Sequence, residues 1–297
     1  MKSGIVVLKK EEGITSQGAV NRVKRLFGAK KAGHTGTLDP LATGVLPILV
    51  ERAVKASEYM LTSDKYYKAM LKLGITTDTE DITGEVISRC ESIPDENAVL
   101  SAISKFEGEI MQVPPMYSAL KVGGRKLCDI ARGGEVIERE ARKITVHSIK
   151  AEKITTDTYS LDVHCSKGTY IRTLCADIGK ELGCGGVMAA LERTKASVFT
   201  LSDAHTLSEL EAMTDAERES LIIPVERIFE NCKGVTLSPF FSRLARCGVE
   251  IYLKKIGITL PLGERVRLRD ELGFFALGEV RDFDGALAIK PIKQFDV

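Results

Sequence analysis

The sequence has no tryptophan, no C-x-x-C pair and almost no net charge. It also has no apolar run near the roughly 20 residues that cross a bilayer. Its seven cysteines are odd in number and scattered between Cys90 and Cys247. That pattern fits reduced thiols in a cytoplasmic protein better than disulfides or a zinc ribbon. The opening MKSGIVVLKK holds an apolar run too short for a signal-peptide core. His34, His147, His164 and His205 have no H-x-x-x-H or H-E-x-x-H spacing, so metal chemistry is not expected. No Gly-Lys-Ser/Thr loop, no G-x-G-x-x-G opening a helix and no G-x-S-x-G elbow is present. P-loop, dinucleotide-binding and serine-hydrolase chemistries are thereby set aside.

What is there describes a folded chain. Hydrophobic residues make up 44% and charged residues 28% of 297 positions, enough for a core and sufficient length for about two domains. The net charge of +1 hides an uneven distribution. Residues 1–80 carry thirteen Lys and Arg against eight Asp and Glu, whereas 151–234 carry nine against fourteen. Basic ends around an acidic middle allow either a polyanion-binding face or an ordinary mixed surface.

Hydrophobic periodicity predicts a strand at 4–8, then a helix whose N-cap is offered by Thr15 and Ser16 and whose apolar face carries Val20, Val23, Leu26 and Phe27. A Gly-rich loop over Gly33–Pro40 leads into a buried strand at 44–50 and a short helix at 54–61. Alternation predicts a strand at 66–73, and 144–152 with 158–165 reads as a hairpin before a helix at 169–182. From Val235 onward, short strands alternate with Gly turns, as in a small β-barrel. The expected architecture is α+β, with a mixed, mostly antiparallel sheet in a domain of residues 1–230 and a β-barrel domain at 235–297. Residues 120–143, rich in Lys and Arg with two Gly-Gly pairs, read as a solvated helix between loops or as a basic arm.

Three segments could carry chemistry. In GHTGTLDPLATGVLP (33–47), glycines flank His34 and Thr35, and Asp39 is held extended by Pro40. A carboxylate on a loop anchored in the core is either a turn cap or a catalytic group. Asp64-Lys65-Tyr66-Tyr67 opens a strand, where a Tyr packs in a core or stacks on a base. In CSKGTYIRTLC (165–175), Arg172 falls in the first helical turn, where the helix dipole disfavours a cation. It therefore calls for a carboxylate partner, and Asp39 is a natural one; a surface ion pair is the alternative.

Together with QVPPMYSALKVGGRKL and LERT, these segments resemble the motifs of the TruB family of tRNA pseudouridine synthases, in order over residues 4 to about 200. The C-terminal stretch is more weakly similar to a PUA-type RNA-binding module. The resemblance implies isomerisation of uridine 55 in the T-arm loop of tRNA, without cofactor or metal. It makes Asp39 the essential carboxylate, acting at ribose C1′ or uracil C6, with Arg172 as its partner and Tyr67 stacked on the target base. It makes His34 the residue that fills the space left by flipped nucleotides, and Tyr170, Leu191 and Lys10 substrate-binding residues. The implied partner is the tRNA T-arm stem-loop, engaged by a cytoplasmic monomer with no obligate protein partner and no membrane. The basic stretch 120–143 becomes an RNA-gripping arm. The chain departs from the family pattern at Glu11, Cys128 and Glu192.

Two other readings share these residues. A tRNA-binding or tRNA-folding protein on the same scaffold would tolerate loss of Asp39. A hydrolase using Asp39 with His34 would need a small-molecule pocket and a water-activating base.

Overall fold

Residues 5–8 and 45–50 are apolar almost without interruption, which is the pattern of strands buried on both faces. In the computed structural model, which describes residues 2–118 and 120–295, Gly4–Lys10 and Thr43–Val50 pair antiparallel in full register. The side chains of Lys121 and Lys126, and the last two residues of the expected barrel, lie outside the described residues. Val6, Leu8, Leu46, Ile48 and Val50 face one apolar cluster, while Ile5, Val7, Val45 and Leu49 face another.

These strands are one end of a nine-stranded sheet. Its main path runs Gly4–Lys10, Thr43–Val50, Gly186–Ala196, Lys65–Leu73, Thr158–Cys165, Arg142–Lys153 and Gly108–Gln112. Every pairing is antiparallel except a short parallel contact of Thr43 and Gly44 with Glu192 and Arg193. The α+β class with a mostly antiparallel sheet is therefore as expected. The helices Ser16–Leu26 and Ile171–Glu181 place Val20, Val23, Leu174 and Ile178 in the larger cluster against the sheet. Thr15 caps the first of them by accepting from the Gly18 N–H.

Three elements differ from expectation. The central strand Gly186–Ala196 is not anticipated by alternation. Two register shifts against Lys65–Leu73, at Met188/Ala190 and Arg193/Lys195, break the two-residue period that would have revealed it. Gly33 and His34 belong to a short strand, Ala32–His34, rather than to a loop. The helix expected at 54–61 is a 3-10 segment, Glu51–Ala56, running into the helix Ser57–Leu61.

The C-terminal residues form a five-stranded sheet ordered Lys233–Thr236, Arg265–Asp270, Gly273–Phe283, Ala286–Gln294, Ile251–Tyr252. The two outer strands do not pair, so the expected barrel is a half-barrel. The helix Pro239–Arg246, absent from the sequence reading, packs Ala245 into the apolar cluster of that sheet. A second cluster joins this unit to the large sheet. Tyr59 and Phe295 both meet Phe229, with ring centroids 5.1 and 5.4 Å apart, and Leu277 packs with Val7 and Leu49. Of these, the buried Phe229, Phe295, Leu277, Val7 and Leu49 each contribute about 1.5–3 kcal/mol. Among the described residues, no helix is long and apolar enough to cross a membrane.

Gly44 sits where the sheet changes direction. Its φ is +100°, and an added Cβ would lie 2.3 Å from the Arg193 carbonyl oxygen and 2.8 Å from the Arg193 nitrogen. Only a residue without Cβ permits this approach. We expect Gly44→Ala to lower stability by at least about 2 kcal/mol. Gly28→Ala, also at positive φ but in open space, should cost about 1 kcal/mol. Urea denaturation midpoints of the two variants check this; equal shifts would remove the close-approach argument.

Candidate active site

The loop after Ala32–His34 is held from three sides. The Ser16 hydroxyl donates to the Leu38 carbonyl at 2.9 Å and accepts the Leu38 N–H at 2.8 Å. The Pro40 carbonyl accepts the Gly13 N–H at 2.9 Å and the Lys10 ammonium at 3.2 Å. Asp39 lies between these anchors, so its backbone is fixed on both sides while its carboxylate stays about one-third exposed. Of the two glycines that flank His34 and Thr35, only Gly36 has positive φ, at +139°; its carbonyl accepts from Arg193 at 3.2 Å.

Arg172 reaches the carboxylate from the first turn of Ile171–Glu181. Its Nε lies 2.9 Å from Asp39 Oδ2 and its Nη2 3.4 Å from Asp39 Oδ1, a two-point grip on both oxygens. The guanidinium is nearly buried, and its other donors are used: Nη1 donates to the Thr79 carbonyl at 2.9 Å and Nη2 to the Tyr117 carbonyl at 2.8 Å. Asp81 Oδ2 stands 3.8 Å from Nη1. Asp81 is itself oriented by the Thr79 and Thr83 hydroxyls and the Thr83 N–H, all bonded to Oδ1. Arg172 therefore answers the unfavourable helix dipole with two carboxylates and two carbonyls.

A cavity of about 320 Å³ opens above this pair, lined by Asp39, Arg172, Tyr67, Tyr170, Leu191 and Arg193 among others. Burial raises the Tyr67 phenol above its ordinary value, against the opposing pull of Arg193, so the hydroxyl keeps its proton at neutral pH. Burial likewise raises Tyr170. Gln112 clamps the Tyr170 backbone by accepting its N–H at 2.8 Å and donating to its carbonyl at 3.0 Å. The Thr35 hydroxyl, also lining the cavity, is buried without a hydrogen-bond partner.

Five of the residues singled out in the sequence, Asp39, Tyr67, Arg172, Tyr170 and Leu191, thus surround one cavity. The other two do not line it. Lys10 is 0% exposed, and its ammonium is spent on the carbonyls of Glu11, Ile14 and Pro40. Burial lowers it to about 8, and it braces the Asp39 loop from beneath instead of facing substrate. The turn containing Glu11 is therefore formed despite the departure there. His34 stands beside the cavity, with Nδ1 accepting the Gly36 N–H at 3.3 Å. Burial, and then the charge of Arg193, lower its pKa, so the ring is neutral at pH 7.

The sequence reading missed Arg193. It is 1% exposed, with Nε donating to the Val45 carbonyl at 2.7 Å and Nη2 to the Gly36 carbonyl at 3.2 Å, and its charge opposes the rise of the Tyr67 phenol. No carboxylate lies within ion-pair distance among the described residues, so a buried cation is held by neutral oxygens next to the cavity. The LERT segment that contains it is part of the family resemblance, but nothing in its neighbours Glu192 and Thr194 shows that its side chain is buried. Asp81 was also passed over. The basic stretch 120–143 forms the short hairpin Lys121–Val122 with Arg125–Lys126 and the helix Leu127–Arg132, whose Leu127 and Ile130 are buried. Leu120 at its start reaches the cavity wall.

Comparison with known proteins agrees with this geometry. Residues 24–171 match the TruB family pseudouridylate synthase N-terminal domain, and 172–230 match the tRNA pseudouridylate synthase B C-terminal domain. The tRNA pseudouridine synthase B of Alkaliphilus oremlandii is 42% identical over 95% of this chain and 94% of its own length. That of Francisella tularensis subsp. novicida is 40% identical over 93% and 91%. A Cbf5–Nop10–Gar1 complex contains a chain that superposes with TM-score 0.70 at 25% identity, covering 98% of this chain and 84% of that one. The boundary between the two matched segments falls between Ile171 and Arg172, inside one helix and one sheet, so both build the same cavity. The chain belongs to the TruB family of pseudouridylate synthases.

Proposed function

We propose that this protein isomerises uridine 55 in the T-arm loop of tRNA to pseudouridine, with Asp39 as the essential carboxylate. The observation that carries the reading is the two-point grip of Arg172 on Asp39 at the floor of a cavity walled by two protonated phenols and Leu191. A stacked base cannot reach that carboxylate, so the nucleotide must be flipped out of the loop. Unstacking costs a few kcal/mol, offset by stacking on Tyr67 and by phosphate contacts from basic side chains.

In the reaction the N1–C1′ bond breaks, the uracil turns, and C5 bonds to C1′. The C5 proton is released and N1 takes one up, so atoms balance without an oxidant or reductant. Addition of Asp39 at C1′ and addition at C6 both require an anionic carboxylate within reach of the flipped uridine. Arg172 holds that carboxylate in place, and the protonated Tyr67 presents a hydroxyl beside the ring. Arg193 holds the Val45 and Gly36 carbonyls, so it acts through the loop that carries Asp39. The half-barrel at 233–294 serves in this reading as a PUA-like RNA-binding domain, and residues 120–143 as an arm over the T-loop. One polypeptide then supplies catalysis and RNA recognition in the cytoplasm without a protein partner.

The direct test is release of tritium from C5-labelled uridine in an unmodified tRNA transcript. We expect release with the wild-type protein and none with Asp39→Asn, which keeps shape and tRNA affinity but removes the charge. Turnover by Asp39→Asn near the wild-type rate would favour another nucleophile; tight binding without turnover by either protein would favour the tRNA-folding reading.

For Arg193→Met we expect single-turnover release slowed roughly 10- to 100-fold with tRNA affinity within about threefold, the signature of a lost positioning contact. Stability should also fall, by about 1–3 kcal/mol, because the Val45 and Gly36 carbonyls lose their donors. Filter binding beside single-turnover kinetics separates the two effects.

A further inference from the structure

On the face of the sheet opposite the cavity, three side chains converge that the isomerisation does not use. Along Lys65–Leu73, Tyr67 and Ala69 face the larger apolar cluster, so Tyr66 faces the other way. His164 pairs with Tyr66 across the strands and shares its face. The rings stack with centroids 4.0 Å apart and planes within 8°, which fixes the orientation of the imidazole. His147 belongs to the neighbouring strand. Alternation from the buried Val146 turns it away from the core, and a register shift between Val146 and Ser148 leaves it beside His164, with ring centroids 4.5 Å apart.

Asp64, just before the strand Lys65–Leu73, completes the group. Its Oδ2 lies 3.3 Å from His147 Nε2 and 3.4 Å from His164 Nε2. The His164 Nε2 atom is buried and has no hydrogen-bond partner, so the short approach to Asp64 is not spent on a hydrogen bond. One oxygen and two nitrogens all lie within 4.8 Å of one another. A tetrahedral zinc with bonds of roughly 2.0–2.1 Å places its ligand atoms about 3.3–3.4 Å apart. The two nitrogen–oxygen separations match that edge. Two imidazoles and a carboxylate suit zinc among divalent ions, and the exposed side leaves room for water as fourth ligand. The nearest cation fixed by a ring contact, Lys195, has its ammonium 5.1 Å from the Tyr66 ring centroid.

We propose that Asp64, His147 and His164 form a zinc site that ties the start of strand 65–73 and the end of strand 158–165 to the bulge in strand 142–153, on the side away from the reaction. The site is structural: it pins the segment ahead of strand 65–73 to the hairpin 142–165 and adds stability without entering the reaction. The ligands are far apart in sequence, and only the hairpin and its bulge bring the histidines together, so spacing rules give no sign of it.

The test uses the full chain, stripped with a chelator and titrated with Zn²⁺ against a chromophoric competitor. We expect one equivalent to bind and the melting temperature to rise. Asp64→Asn, His147→Ala and His164→Ala should each weaken binding at least roughly tenfold and abolish the thermal shift. Asp64→Asn is the variant least able to disturb the fold, since the side chain is exposed. Tritium release should be the same in stripped wild type and in all three variants. Substitution with Co²⁺ should give ligand-field bands without thiolate charge transfer. Absence of binding, binding unchanged by the three substitutions, or a cobalt–thiolate band that moves the metal to the cysteines would each overturn the proposal.

Discussion

The active site depends on one buried guanidinium. Arg172 emerges from the N-terminal turn of a helix, where the backbone dipole opposes it, and it is almost fully removed from water. A buried cation is tolerated only when its donors are satisfied and its charge is matched, and stripping a partner from such a pair costs about 3–5 kcal/mol. Asp39, Asp81 and the carbonyls of Thr79 and Tyr117 meet that demand. These partners come from separate loops, at 35–42, 78–83 and 116–118. The constraint that keeps Arg172 buried is therefore the same one that gathers the loops around the cavity.

A second cation supports the first. Arg193 crosses beneath the Asp39 loop, joining Val45 and Gly36, and its backbone passes so close to Gly44 that no side chain fits between. Lys10 does similar work on the far side, at Pro40. Asp39 is thus flanked by residues whose carbonyls are bonded to buried cations. Reaction geometry benefits from such rigidity, since misplacement of a reacting group by about 1 Å can cost roughly 100-fold in rate.

The larger sheet is worked from both faces. On one side lies the cavity, with the helices that cover the core around it. The other side is divided between the aromatic cluster of Tyr59, Phe229 and Phe295, which seats the C-terminal half-barrel, and an open area where His147 and His164 meet Asp64. Charge is divided along the chain: the basic residues 1–80 include the Asp39 loop, and the acidic stretch 151–234 supplies helices such as Leu207–Ala212 and Asp215–Ser220 with their capping boxes.

Local chemistry in the chain was enough to mark Asp39, Tyr67 and Arg172, because glycines, an Asp-Pro step and a cation in a first helical turn are unusual within their own segments. It also determined the Thr15 cap and the hairpin expected at 144–165, set by contacts between near neighbours, and the continuous apolar strands, legible from their own composition. Other features were decided only by tertiary contact. The strand Gly186–Ala196 hides its period in two bulges. Lys10, expected to bind substrate, and Arg193, given no role, are seen as buried braces only once their carbonyl acceptors, contributed by residues up to 157 positions away, are in place. Whether a charge faces water or a ring of buried oxygens depends on what packs over it, and that is a property of the assembled sheet and loops rather than of any segment.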